Sequence, residues 1–187
     1  ERIYFHYQFE PSGYWWEKTR PYLTLNRVEA PREIFGRPVT HFAHKADIVR
    51  LEMLAEYGGI YLDLDVVCLR SFQSLLRHPF VMGIEEGVGL CNAVMLSEPG
   101  SEFGRIWYRQ YKSFDCSQWN RHSVRLPGRL ARYHSDLIQV ENQYAFFYPF
   151  YRDPVHLYLW QDSVPTRQKM KFFFWNRLRQ FKRIFTG

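Results

Sequence analysis

The sequence is poor in the features that mark several functional classes. It has three cysteines, Cys68, Cys91 and Cys116, an odd number with no metal-ligand spacing. That excludes a disulfide framework and a zinc finger, and it leaves the redox compartment undecided. No stretch reads as a secretory signal or a membrane-spanning run. The chain opens at Glu1 rather than Met, directly in strand-like residues 3–7, so these absences say nothing about an anchor upstream. No motif of an RNA- or DNA-binding domain is present. Acidic residues are outnumbered, 19 against 25 Lys and Arg, which gives a net charge of +6. A basic balance suits anionic partners. Sugar nucleotides and phospholipid surfaces are therefore favoured, with no nucleic acid expected.

What is present is enough for one domain with a real core, at 187 residues. Aromatics make up 19% of the chain, which serves a core and also sugar-binding platforms. The most informative stretch runs from His44 to Val67. Residues 45–57 are good helix formers, with Ile48, Leu51 and Ala55 at helical spacing. Gly58 and Gly59 then supply a stop, since glycine takes the left-handed conformation without side-chain cost. Beyond them the period changes to two. Ile60, Leu62, Leu64 and Val66 fall on one face of a strand; Tyr61, Asp63, Asp65 and Val67 fall on the other.

The alternation predicts that Asp63 and Asp65 converge on one small volume. Two carboxylates on an apolar strand repel and are costly to desolvate. An exposed edge strand removes that cost; a bound divalent cation turns it to use. An oxygen-only donor set suits Mg²⁺ or Mn²⁺, which complete their shells with water and substrate phosphates. Asp47 and Arg50, at i and i+3, share a helix face. They form either a surface ion pair or a pair aimed at the ligand that the aspartates hold. His41 and His44 are candidate ligands, although packing or capping at a helix start is the plainer role.

The run A-D-I-V-R-L-E-M-L-A-E-Y-G-G-I-Y-L-D-L-D-V resembles the signature of glycosyltransferases with a "DXD sugar-binding region", of the retaining family 32 type. That family includes mannosyl-, galactosyl- and N-acetylglucosaminyltransferases. The same block is similar to one in the glucosylating clostridial toxins. The resemblance is specific over residues 42–72 and weaker to about Pro149. It implies an α/β fold of the GT-A kind, with a central mostly parallel sheet flanked by helices and the Asp pair at a strand's C-terminal end. It implies a UDP- or GDP-sugar donor, a glycan or glycolipid acceptor, a bound Mn²⁺ (or Mg²⁺) and retention at the anomeric carbon. Asp47, Arg50, Tyr61, Asp63 and Asn92 would bind the donor, with Asp63, Asp65 and Arg50 central to catalysis. Asp65 would hold the metal directly, Asp63 would share it or lie nearer the ribose, and His156 is the nearest match to a late metal-binding His. Relatives carry an earlier strand and a base pocket upstream, so the sequence is expected to be N-terminally truncated.

Elsewhere the pattern predicts strands near residues 3–7, 22–25, 80–84, 89–96, 137–140 and 145–148. Helices are predicted near residues 14–19, 101–111 and 127–133, a short one within 69–76, and loops over residues 31–38 and 116–125. Asn92 is the one strongly polar residue of its strand, and a buried Asn must be hydrogen-bonded. Glu85 and Glu86 end a strand, exposed or near substrate hydroxyls. Trp119 and its neighbours border the acceptor or form a plain surface loop. Residues 1–162 are expected to form the catalytic domain. Residues 163–187 form a basic segment with Phe174, Leu178, Phe181 and Phe185 on one helix face, a pattern for a membrane surface or for docking.

Two other functions fit parts of the sequence. Asp63-Leu64-Asp65-Val66-Val67 matches the first motif of haloacid-dehalogenase-type phosphatases, where the first Asp attacks phosphorus. No later G-D-x-x-x-D motif accompanies it, and the preceding helix has no role there. A non-catalytic sugar-nucleotide-binding remnant is the other alternative, against which the intact Asp pair stands.

Overall fold

The computed structural model describes residues 2–147. His156 and the basic segment 163–187 lie outside them. The described residues divide into two units, one up to Pro31 and one from Arg32 onwards.

In the first unit β1 (Tyr4–Tyr7) pairs in parallel with β2 (Thr24–Arg27). A crossover carrying α1 (Tyr14–Thr19) and a 3₁₀ turn at Arg20–Tyr22 joins them. Pro21 lies in that turn, where its fixed φ and missing N–H cost nothing. Trp16 is the buried anchor of α1 and packs 5.0 Å from the Phe5 ring.

The second unit opens with a hairpin rather than the expected loop. β3 (Glu33–Ile34) pairs with β4 (Arg37–Pro38), and Phe35 and Gly36 both take positive φ, 48° and 73°. That geometry belongs to the tight turns whose twist matches a hairpin. Helix α2 (Phe42–Tyr57) starts earlier than its apolar spacing suggests, because His41 caps it through Nδ1 accepting from Ala43 N–H. It ends at Gly58, whose φ of 64° accommodates the stop.

The main sheet has the order β5-β7-β6-β8. β5 (Gly59–Leu62) and β6 (Phe80–Glu85) both run antiparallel to β7 (Gly89–Ser97); β8 (Gln139–Glu141) runs parallel to β6. The sheet is thus mixed and chiefly antiparallel, which corrects the expected mostly parallel one. The reason is local. β6 and β7 are joined through Gly87, at φ 74°, a hairpin that can only fold back antiparallel. A second correction concerns the strand expected over residues 145–148, of which 148 lies outside the described residues. Asn142 accepts from Tyr144 N–H and starts the short helix α5 (Gln143–Phe146) where a strand was expected.

β7 is buried along almost its whole length and separates two clusters. One contains Phe80, Met82, Leu90 and Met95 against Ile48, Leu51 and Leu54 of α2 and against Phe103 and Trp107 of α3 (Glu102–Arg109). The other contains Val81, Val94 and Leu96, with Val66, Phe72, Leu75 and Phe146. Residues 121–125, expected as loop, form one π-helical turn before α4 (Leu126–Tyr133), and they bury His122, Ser123 and Val124. β5 is an outer strand of the sheet, and Ile60 and Leu62 on it are 40% and 36% exposed. Among the described residues no helix is long and apolar enough to cross a membrane.

Candidate functional site

The site begins with two adjacent residues of β7. Asn92 and Ala93 lie in the middle of a strand with only buried neighbours, so their polar groups must be satisfied within the protein. Ala93 C=O accepts from Asp63 N–H at 2.8 Å, which continues the β5–β7 pairing one residue past Leu62. Asn92 C=O accepts from Arg50 Nη1 at 2.8 Å. Its side-chain amide donates to Asp47 Oδ1, also at 2.8 Å. One strand residue therefore grips both ends of the i, i+3 pair on α2.

The remaining bonds close a network. Arg50 Nη2 lies 3.6 Å from Asp47 Oδ1 and Arg50 Nη1 lies 3.4 Å from Asp63 Oδ1. Arg50 Nε donates to Ala46 C=O one turn back. The guanidinium carbon sits 4.9 Å from the centre of the Tyr61 ring, within cation–π range. The Tyr61 hydroxyl donates to Asp63 Oδ1 at 2.7 Å. Asp47, Arg50, Tyr61, Asp63 and Asn92, five residues that the resemblance implies for the donor, are thus one connected cluster. The Asp47–Arg50 pair is not a surface pair: the two residues are 8% and 4% exposed.

Burial sets the electrostatics. It raises the Asp63 carboxyl above the ordinary carboxylate value, because removing an anion from water costs more than the neighbouring Arg50 and the Tyr61 hydroxyl return. Asp65 and Asp47 add to the rise by repulsion. For Arg50, burial pulls downward, but Asp63, Tyr61 and Asp47 together raise it, so the guanidinium stays charged. Burial raises the Tyr61 hydroxyl strongly, which keeps it a donor to Asp63.

Asp65 departs from the expected geometry. β5 ends at Leu62, and Val66 N–H bonds back to Asp63 C=O at 3.1 Å, closing a turn over residues 63–66. The period of two stops there, so Asp65 does not share a strand face with Asp63. Asp65 is exposed while Asp63 remains largely covered. Val66 is half-buried and packs against the Val81, Val94 and Leu96 cluster, and that packing fixes the turn. Among the described residues no three His, Cys, Asp or Glu side chains gather at metal-ligand distance.

The histidines take structural positions. His41 is the cap of α2. His44 is buried, its Nε2 3.1 Å from Trp119 C=O, and its Nδ1 has no partner. His122 is buried against Tyr111 and Phe114, its ring centre 5.3 Å from each. Glu85 is half-buried and Glu86 exposed. The His44–Trp119 link, across 75 positions, has no signal in the sequence. The Tyr61–Asp63 bond has one, because both residues fall on the same face of a period-two strand.

Residues 16–81 match the family described as "Glycosyltransferase sugar-binding region containing DXD motif". A glucan organizing enzyme of Cryptococcus neoformans var. grubii is 43% identical over 159 residues, covering 80% of this chain and 43% of that protein. An inositol phosphoceramide mannosyltransferase of Schizosaccharomyces pombe is 44% identical over 59 residues, 32% of this chain and 17% of that protein. A mannosyl phosphorylinositol ceramide synthase of Saccharomyces cerevisiae is 35% identical over 71 residues, 38% of this chain and 19% of that protein. The chain spans less than half the length of each of these relatives. No solved structure matches significantly.

Proposed function

We propose, from the premise that the chain is a DXD-type glycosyltransferase carrying its sugar-binding region at residues 16–81, that it moves a sugar from a UDP- or GDP-sugar to a glycan or glycolipid hydroxyl with retention. The observation that carries this reading is the convergence of Asp47, Arg50, Tyr61, Asp63 and Asn92 on one buried network beside the exposed Asp65. Glycosyl transfer is also the activity named in the Schizosaccharomyces pombe relative, a mannosyltransferase.

The residues fit a divalent cation by charge and donor type. Asp47 and Asp63 pair with one guanidinium, Arg50, and Asp65, two residues beyond Asp63, adds its charge nearby. Both Arg50 and Tyr61 contact Asp63 through Oδ1, which leaves Oδ2 for another partner. Asp65, exposed on its turn, adds a second carboxylate to the donor set. Hard oxygen donors of this kind hold Mn²⁺ or Mg²⁺ together with water and phosphate oxygens. Asp65 is the direct ligand in this reading and Asp63 the second, or the partner of the ribose. When bound, such an ion supplies Lewis-acid neutralisation of the charge that develops on the leaving diphosphate.

The protein's own part is positioning. Arg50 offsets two carboxylates and fixes Asp63 from one side; Tyr61 fixes it from the other. Asn92 sets Asp47 at the same depth. In the transfer, the bond from the anomeric carbon to the diphosphate oxygen breaks and one to the acceptor oxygen forms. The acceptor's proton leaves with the diphosphate. Oriented groups of this kind lower a barrier because they need no reorganisation as charge develops.

The test is a panel of UDP- and GDP-sugars, each with Mn²⁺, scored by thermal stabilisation and by release of nucleoside diphosphate. A donor that binds raises apparent stability by mass action. Stabilisation by none of them, or a phosphoenzyme trapped on Asp63, overturns the reading.

A further inference from the structure

Trp119 is 60% exposed, yet its surroundings are built. Its carbonyl accepts a hydrogen bond from His44 Nε2 at 3.1 Å, and His44 is 3% exposed. The Trp119 ring meets the His41 ring edge-on, with centroids 4.9 Å apart and planes at 83°. His41 and His44 lie 5.7 Å apart, and the second ring also approaches Trp119, at 5.8 Å. Phe114 closes the far side of His44, edge-on at 5.3 Å. The indole is therefore held at the surface by two imidazoles rather than hanging from a free loop.

The tautomers follow from the bonds. His41 Nδ1 accepts from Ala43 N–H to cap α2, so its proton sits on Nε2, pointing away from the cap. An exposed indole beside an imidazole N–H is a recognisable pairing. The ring offers an apolar, electron-rich face to the C–H side of a cyclic polyol, and the N–H offers a donor to one of its hydroxyls. Position agrees. His41 caps the N-terminus of α2, and His44, Asp47 and Arg50 follow at intervals of three; each such step turns back by roughly 60°, so His41 lies about a third of a turn around the helix from Asp47. At 1.5 Å per residue, Trp119 and His41 sit roughly 9 Å along the axis from Asp47. That is within reach of a molecule whose reacting hydroxyl is at the donor site.

We propose that Trp119 and His41 form a subsite for a cyclic polyol ring of the acceptor, either a pyranose or an inositol. The inference rests on the glycosyl-transfer reading above and adds the place where the acceptor is held. His44 positions the platform through the Trp119 carbonyl and does not itself touch the polyol.

Ligand-observed NMR with methyl α-mannopyranoside, methyl β-glucopyranoside and myo-inositol, each added alone, tests it. The wild-type chain is compared with Trp119→Ala and His41→Asn. Trp119→Ala keeps the backbone bond to His44, and His41→Asn keeps an oxygen that can cap the helix while removing the imidazole. At least one polyol should bind the wild type, and each variant should weaken it by about tenfold or more, the scale of one lost aromatic or hydrogen-bonding contact. Which probe binds distinguishes a sugar acceptor from an inositol headgroup. Hydrolysis of the sugar nucleotide, with water as acceptor, should be unchanged in both variants. Equal polyol binding by wild type and Trp119→Ala overturns the subsite, as does binding of no probe. Polyol binding without any sugar-nucleotide hydrolysis would instead overturn the glycosyl-transfer reading and leave the subsite standing.

Discussion

The Tyr61 hydroxyl donates to Asp63 Oδ1 at 2.7 Å while the Tyr61 ring carries Arg50 on its face at 4.9 Å. One side chain thus touches both charged partners of a buried pair. Tyr61→Phe keeps the ring and removes only the hydroxyl. We expect turnover to fall by roughly ten- to a hundredfold, the worth of one hydrogen bond to a charged group, with little change in melting temperature. Initial rates and a thermal melt on the same preparation check it; unchanged rates would show that Asp63 needs no fixing.

Arg50→Ala is expected to do more than impair chemistry. It strands Asp47 and Asp63 without a counterion in a place where both are largely covered. Breaking a buried pair on one side costs about 3–5 kcal/mol, a large part of a domain's stability. Denaturant unfolding should show a clearly lowered midpoint. The 4% exposure of Arg50 is what makes its loss a matter of folding as well as of the donor site.

Asp65→Asn should behave in the opposite way. Its side chain is exposed, so folding should be untouched. Removing the charge from the expected metal ligand should lower turnover by roughly two or more orders of magnitude. It should also abolish the stabilisation that Mn²⁺ and donor give to the wild type, read by thermal shift.

Acid sensitivity follows from the histidines. Burial lowers His122, with Arg121 adding to the effect, and burial with His44 lowers His41. A folded value below the ordinary 6.5 means that the unfolded chain takes up the proton first. Stability is therefore full above the ordinary value of 6.5 and is lost as pH falls from there towards the folded one. Asp63 runs the other way: raised from 3.8, it favours the folded state at the acid end and loses that contribution as pH rises through its folded value. Melting temperature measured from pH 7.5 down to 5.5 should fall, with a shallower slope in His122→Gln.

Gly58→Ala tests the helix stop. Its φ of 64° disfavours a side chain, and a Cβ there would stand 2.6 Å from the Pro99 ring. Left-handed backbone alone costs about 1–2 kcal/mol. A drop in melting temperature of several degrees is expected, and a neutral result would mean that the Gly58–Pro99 contact relaxes freely.

Much of the site was legible because its residues are local or conspicuous. Asp47 and Arg50 share a helix face by spacing, Tyr61 and Asp63 share a strand face, and Asn92 is the one strongly polar residue in an apolar run. What the sequence hid depends on distant partners. A period of two says nothing about strand direction, so the chiefly antiparallel sheet was out of reach. Asp65 left the strand because Val66 found a place against Val81, Val94 and Leu96, a contact no spacing announces. Trp119 and His44 are 75 positions apart. The start of α5 at Asn142 did carry a signal, a preferred capping residue, outweighed by the aromatic run that follows it.

The outer position of β5 has a consequence for handling the protein. Ile60, Leu62, Leu64, Val67 and Leu69 are all exposed, the last two at 77% and 89%. Asp65 is the single exposed charge within residues 59–69. Aliphatic edge segments invite strand-to-strand association, and an interposed charge is the usual safeguard against it. Asp65 therefore acts as a solubility gatekeeper as well. Its neutral variant should self-associate at concentrations where the wild type stays monodisperse, so the enzymology of Asp65→Asn belongs in dilute solution, with light scattering alongside.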